Sequence, residues 1–302
     1  MAGRGRDVAR MLGPVGVWSF ALDRGPAAAG RAFAAEVEAC GYSALWFPES
    51  VGSREAFAQA GVLLGATERL VVATGIASVW ARDAWAMANG QRALADAFPG
   101  RFLLGIGVSH APSVTARGGR YERPVERMRA YLDAMDAAPW NAPAPSPEPA
   151  RVLAALGPRM LALAAERADG AHTYFVPVAH TQAARAALGP EPVLAVEQAA
   201  VLSSDPAEAR AIARRYAERY LALPNYASNL RRHGFPDDDL VGGGSDRVID
   251  AVIVWGDVAR VAERVREHRA AGADHVALQL LGPEPADTRA ADVSDLATEL
   301  LG

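Results

Sequence analysis

TERLVVATGI (Thr67–Ile76) and PGRFLLGIGV (Pro99–Val108) decide how this chain folds. In both, a charged turn leads into an apolar run, LVVATGI or FLLGIG, that does not alternate with polar residues. A strand with one wet face would alternate. Continuous apolar runs of this length fit parallel strands covered on both faces, which requires helices between them.

Working outward, similar runs recur along the chain. Strands are expected at Val15–Phe20, Ala44–Phe47, Leu70–Ala77, Phe102–Gly107, Arg151–Ala155, Ala171–Phe175, Val193–Leu202 and His275–Leu280. Between them lie Ala-rich segments of 3.6-residue period: Arg31–Cys40, Glu55–Thr67, Ala84–Phe98, Val125–Ala137, Arg159–Arg167, Thr181–Leu188 and Ala207–Leu221. Eight strands alternating with helices in 302 residues predict a closed (β/α)8 TIM barrel, one domain over 1–302. A dinucleotide-binding open sheet is the competing architecture. GIGVSH (Gly105–His110) lacks the third glycine of its fingerprint, and GPVGVWSF lacks the fingerprint altogether. Two segments interrupt the alternation and read as insertions after strands 4 and 7. PWNAPAPSPEP (Pro139–Pro149) holds five prolines in eleven residues and cannot be helix or central strand. Leu221–Val265 is longer than one crossover needs, and extra helices are expected there, packed near the last strand.

Composition narrows the function. The chain is 51% hydrophobic and 22% charged with a net charge of -4. That mild acidity gives no support for nucleic acid or an anionic membrane as partner. Cys40 is the single cysteine, and the six histidines show no metal-ligand spacing, so no metal site is expected. MAGRGRDVARML has arginines but no apolar signal region, and no later run is long enough to span a membrane; a cytoplasmic protein is the expectation.

Chemistry in such barrels sits at the C-terminal strand ends. Those ends read FPES, TGIASVWARD, GIGVSHAPS, ALGPRM and TYFVPVAHT. In ALGPRM, Gly157 closes a strand, Pro158 opens a helix and Arg159 adds positive charge beside the helix N–H groups; this suits an anion such as phosphate, or is a plain helix cap. Gly75-Ile76 and the GIG after strand 4 could leave space for a flat ring, although glycine also relieves crowding in barrels. His110, with Ser109 and Ser113, is either a surface histidine or a site residue. Glu49 is either a first-turn helix acid or a group pointing into the mouth, and Ser53 is the better cap for the helix that follows. Arg117, Arg120 and Arg123 read as a solvated face.

Taken in order, GYSALWFPES, TERLVVATGI, PGRFLLGIGVSHAP, YERPVERMRAYLDAM, VLAALGPRMLALAAERADGAHTYF and GADHVALQLL resemble the luciferase-like (bacterial luciferase) superfamily, specifically its deazaflavin-dependent branch. The resemblance covers nearly the whole chain. It implies a barrel that holds coenzyme F420, or FMN in other branches, and a homodimer. It also implies a non-proline cis peptide at Gly75-Ile76 in a bulge that supports the ring. The expected cofactor contacts are Ser50, Gly75, Ile76, Gly107, Val108, Ser109, Ala155, Leu156, Gly157, Pro158, Arg159 and Met160, the last few around the phosphate. The sugar-phosphate branch carries Asp-His where this chain has Glu49-Ser50, and Glu where it has His110, so that activity is not expected. The reading is an oxidoreductase that exchanges a hydride between F420 and a small organic substrate. His110 is its acid/base, Glu49 faces it, and Trp18, Trp46 and Trp80 wall the pocket. An FMN-dependent monooxygenase and a noncatalytic cofactor-binding barrel are the alternatives.

Overall fold

The computed structural model describes residues 3–283 and 290–302. Its strands are β1 (Val15–Trp18), β2 (Ala44–Phe47), β3 (Val71–Thr74), β4 (Ala77–Ser78), β5 (Phe102–Gly107), β6 (Ala150–Ala154), β7 (Gly170–Thr173), β8 (Val193–Leu202), β9 (Ile253–Gly256) and β10 (His275–Leu280). Eight of them close in the order β1-β2-β3-β5-β6-β7-β8-β10, and β10 returns to β1 in parallel register. The fold is therefore the expected (β/α)8 barrel, and all eight strands read from sequence are present.

Two strands were not read. The run Leu70–Ala77 is two strands, because the cis peptide Gly75-Ile76 breaks it and β4 resumes against Ile106 and Gly107. β9 follows the helix Asp246–Val252 with no loop and pairs with the upper end of β8, Ala199 to Leu202. The apolar run AVIVW gives no sign of where helix becomes strand.

Alternate residues point into the barrel and form an inner cluster: Trp18, Ala44, Trp46, Val71, Ala73, Leu103, Val152, Val193, Ala195 and Ala277. The opposite parity (Val17, Leu45, Val72, Leu104, Leu153, Leu194, Leu278) packs under the surrounding helices. An unforeseen helix, Arg4–Leu12, seals the N-terminal end with Val8 and Leu12. It lies so close to the chain entering β8 that a side chain at Gly5 would collide with the Glu191 carbonyl.

The insertion after β8 makes its own core. Helices Pro206–Leu221, Pro224–Arg232 and Asp246–Val252 pack with β9, the upper part of β8 and Phe175. They also reach the last strand, as expected, where Tyr216 donates to Gln279 of β10 at 3.1 Å. β8, at ten residues, extends past its barrel pairing to Leu202, and its upper length, paired with β9, supplies the apolar face they need. The proline-rich stretch carries neither helix nor strand, as expected.

Candidate functional site at the barrel mouth

The bulge between β3 and β4 is built by its neighbours. Gly75 donates its N–H to the Phe47 carbonyl (2.7 Å), and Glu49 donates its N–H to the Ile76 carbonyl (3.2 Å). The Glu49 carboxylate then accepts the Ser78 N–H at 2.9 Å, the Ala56 N–H at 3.4 Å and both terminal nitrogens of Arg82. Its side chain is 3% exposed. Ile76 turns its side chain back over β5, where its atoms occupy the space that a side chain at Gly107 would need, and a side chain at Gly105 would collide with the Thr74 carbonyl. The glycines of GIG therefore make room for Ile76 and the β3 backbone, not for a ring.

Inside the bulge, two polar atoms converge on Gly75. A side chain there would collide with Trp18 Nε1 and touch His172 Nε2. Both atoms are buried and lack partners among the described residues. His172 Nδ1 lies 3.2 Å from the Ala195 carbonyl and so carries the ring proton, which leaves Nε2 an acceptor. Burial pushes this histidine down to about 3, so it stays neutral. An unpartnered donor beside an unpartnered acceptor is costly in a dry interior and is relieved by a polar ligand or water.

Two non-glycine residues at strand ends adopt left-handed backbone, Ser109 (φ 59°) and Phe175 (φ 54°). Such conformers cost about 1–3 kcal/mol and gather where a site re-aims the chain. At Phe175 the turn lets the N–H donate to Glu197 Oε2 (3.0 Å). Glu197 is wholly buried in β8, and burial pushes its carboxyl up to about 8, so it is protonated at neutral pH. Its Oε1 has no partner among the described residues. Beyond Ser109, His110 packs its ring against Tyr226 (5.4 Å) and leaves Nδ1 buried without a partner among the described residues. Burial holds its imidazole below the ordinary histidine range, partly offset by a hydrogen bond with Asn225. A hydroxyl network closes this side: Tyr216 donates to Tyr174 (2.7 Å), and Tyr174 donates to Gln279 Oε1 (2.8 Å).

The helix Pro158–Arg167 starts at Gly157 without a side-chain cap. Pro158 has no N–H, and Met160 donates its own to the Gly157 carbonyl at 3.1 Å. That leaves the Arg159 N–H and the exposed Arg159 side chain at the helix start. Arg232, from the insertion, brings Nη2 to 3.7 Å of where a Gly157 side chain would sit. His180 Nε2 lies 2.9 Å from the Leu156 carbonyl and holds the preceding loop. The chemistry is that of an anion cradle, with one arginine that sequence order could not place there.

Several expected roles change. The Glu49 carboxylate, expected to face the site opposite His110, is instead occupied by Arg82 and backbone N–H groups. Trp46 is no pocket wall: it lies sealed in the lower barrel, where its indole donates to His275 Nε2 at 3.0 Å and its ring stacks on His172. Trp18 is buried too, but its indole edge reaches Gly75. Trp80 is half-buried and donates to the Val108 carbonyl at 3.1 Å, which ties the strand-3 loop to the strand-4 loop. Ser50 is fixed by Ser53 and by Arg117, which donates to its carbonyl at 3.1 Å. The helix after it is capped by Glu55, which accepts the Ala58 N–H, and not by Ser53. Glu197, His172 and Gln279 were passed over. Their signal was available: each is a polar residue inside a strand buried along its length.

Comparison with known proteins agrees with this geometry. No curated protein matches the chain. Among solved structures it is similar to an F420-dependent secondary alcohol dehydrogenase in complex with an F420-acetone adduct (TM-score 0.74, 16% identity, 95% of this chain and 97% of that one). It is also similar to the coenzyme F420-dependent tetrahydromethanopterin reductase of Methanopyrus kandleri (TM-score 0.76, 14% identity, 95% and 98%). A third is the FMN-bound oxygenating constituent of 3,6-diketocamphane monooxygenase from Pseudomonas putida (TM-score 0.70, 17% identity, 94% and 95%). At these identities the likeness speaks for the fold. The model of the luciferase-like monooxygenase family matches residues 14–275, and the chain belongs to that family.

Proposed function

We propose that this protein is an oxidoreductase that uses coenzyme F420 to exchange a hydride with a small organic substrate. The observation that carries the reading is the pairing of two unfilled features on one rim. One is a bulged backbone at Gly75-Ile76 beside unpartnered buried polar atoms; the other is an uncapped helix start at Gly157 with Arg159 and Arg232. They fit the two ends of a flavin-like cofactor. The ring would lie against Gly75 and Ile76, bordered by Ser50, Val108 and Ser109, and the phosphate beside Ala155, Leu156, Gly157 and Arg159. When bound, a deazaflavin supplies a carbon that takes or gives a hydride, a two-electron exchange.

The chain's own residues handle the proton. His110, neutral and with Nδ1 free, accepts a proton from the substrate as its carbon loses the hydride, and returns it in the reverse direction. Glu49 acts through the bulge: it holds Ile76, Ser78 and Arg82 in place, which makes it a positioning residue. Trp18 supports the ring site from below.

F420 over FMN is supported by the resemblance to the deazaflavin branch and by two F420-dependent structural relatives. The FMN-bound relative keeps a flavin monooxygenase as the second reading. A cytoplasmic homodimer acting on a small molecule is proposed with it; no described helix is long and apolar enough to cross a membrane. Titration with F420 and FMN, followed by fluorescence, tests the choice. F420 should bind at least about tenfold more tightly, a difference of about 1.4 kcal/mol. Tighter FMN binding, or oxygen consumption by the FMN-loaded protein, would replace this reading with the second.

A further inference from the structure

Across the mouth from Gly157 lies a cavity of about 240 Å³, lined by Phe20, Tyr216, Tyr220 and three arginines, Arg24, Arg215 and Arg219. In the closed strand order β1 stands diametrically opposite β6, so the cavity at Phe20 and the helix start at Gly157 occupy opposite rims. Helix Pro206–Leu221 turns one face to it, carrying Ile212, Arg215, Tyr216, Arg219 and Tyr220 at helical spacing. On the same helix, Arg210 and Arg214 are spent on ion pairs with Asp250 and Asp246. Arg24, Arg215 and Arg219 make no ion pair among the described residues. Arg215 donates to the Pro283 carbonyl at 3.2 Å, and Arg219 lies over the Phe20 ring at 5.8 Å.

Packed side chains link the cavity to the proposed reaction centre. Phe20 packs edge-on against Trp18, whose indole edge borders Gly75. Tyr216 and Tyr220 belong both to the cavity and to the hydroxyl network on Tyr174. The charge of Arg219 also reaches His110, where it disfavours the imidazolium. A cofactor anchored at Gly157, with its ring at Gly75, leaves this rim to a second molecule. Three guanidiniums with no ion pair among the described residues, set around an aromatic floor, suit an anion with an unsaturated or hydrocarbon body.

We infer that this cavity holds the carboxylate or phosphate of an anionic substrate, with the reacting carbon directed towards His110 and Gly75. The inference rests on the proposed function for the reaction, and on the arginines alone for the anion. Calorimetric titration with citrate and with inorganic phosphate, in the absence and presence of saturating F420, tests it. Both probes should still bind when F420 is present, because F420 fills the opposite rim. Arg219→Gln and the pair Arg24→Gln/Arg215→Gln should each weaken the probes at least about tenfold. F420 affinity should stay within about twofold and the melting temperature should not change, whereas Arg232→Gln should weaken F420 and spare citrate. Competition between F420 and both probes would assign the cavity to the cofactor's own tail and overturn the inference. Unchanged probe affinity in the arginine variants would overturn it as well. Arginine-dependent citrate binding in a protein that binds no F420 would uphold the anion site and remove the cofactor reading.

Discussion

The lower barrel and the mouth are made from the same strands and treat their polar groups in opposite ways. Below, Trp46 donates to His275 Nε2, and His275 Nδ1 lies 2.8 Å from the Gly13 carbonyl, so both side chains are satisfied in neutral form. Above, Trp18 Nε1, His172 Nε2, Glu197 Oε1 and His110 Nδ1 lack partners among the described residues. Each unmet buried group costs about 1–3 kcal/mol, and four in one region would be a poor way to build a core. The contrast separates a base whose polar groups are satisfied from a rim whose polar groups are left open.

The largest effect should come from breaking the lower part. Trp46→Ala removes a fully buried indole and should cost about 3–5 kcal/mol in denaturant unfolding. A variant as stable as the parent would mean that the lower barrel is not the stabilising region. At the mouth, His110→Ala should lower turnover by about a hundredfold, roughly 2.7 kcal/mol, once a substrate is known, with F420 affinity retained. Its pH–rate profile should lose the limb assigned to the imidazole.

The buried histidines and the buried carboxyl respond to pH with opposite signs. Burial holds His275 near 4 and His172 near 3, below the ordinary 6.5. Their contribution is complete above about pH 6.5 and is lost as pH falls toward those values. Glu197, raised from 4.5 to about 8, behaves the other way: its contribution is complete below about 4.5 and is lost as pH rises through 8. Wild type should therefore lose stability relative to Glu197→Gln between pH 5 and pH 8, as read from melting temperatures. Parallel curves for the two proteins would show that Glu197 is ionised in the folded state.

The smallest effect should come from Glu49→Gln. The amide keeps the shape but loses the ion pair with Arg82, and F420 affinity should fall about tenfold, about 1.4 kcal/mol, as the bulge loosens. The pH–rate profile should keep its shape, in contrast to His110→Ala. A lost limb in the Glu49 variant would restore Glu49 as an acid/base group.

The barrel was legible in the sequence because parallel strands buried on both faces leave an unbroken apolar record. The helix start at ALGPRM was legible because Gly-Pro-Arg carries its own local geometry. Even the bulge at Gly75-Ile76 could be placed, through the resemblance of TERLVVATGI to a known family. Partnership was not legible. LWFPES shows an acid after a proline, but Arg82 lies 33 residues further on, and only the folded chain brings the two together. Trp46 and Trp18 are register partners on adjacent strands and equally buried; the direction of each ring makes one a partner of His275 and the other a neighbour of Gly75. Arg232 at Gly157, and Arg24 with Arg215 and Arg219, come from segments far apart in the chain. Local pattern determined the elements, because hydrophobic period and turn chemistry act over a few residues. Tertiary structure decided the site, because charge pairing and burial depend on which distant segments the closed barrel sets side by side.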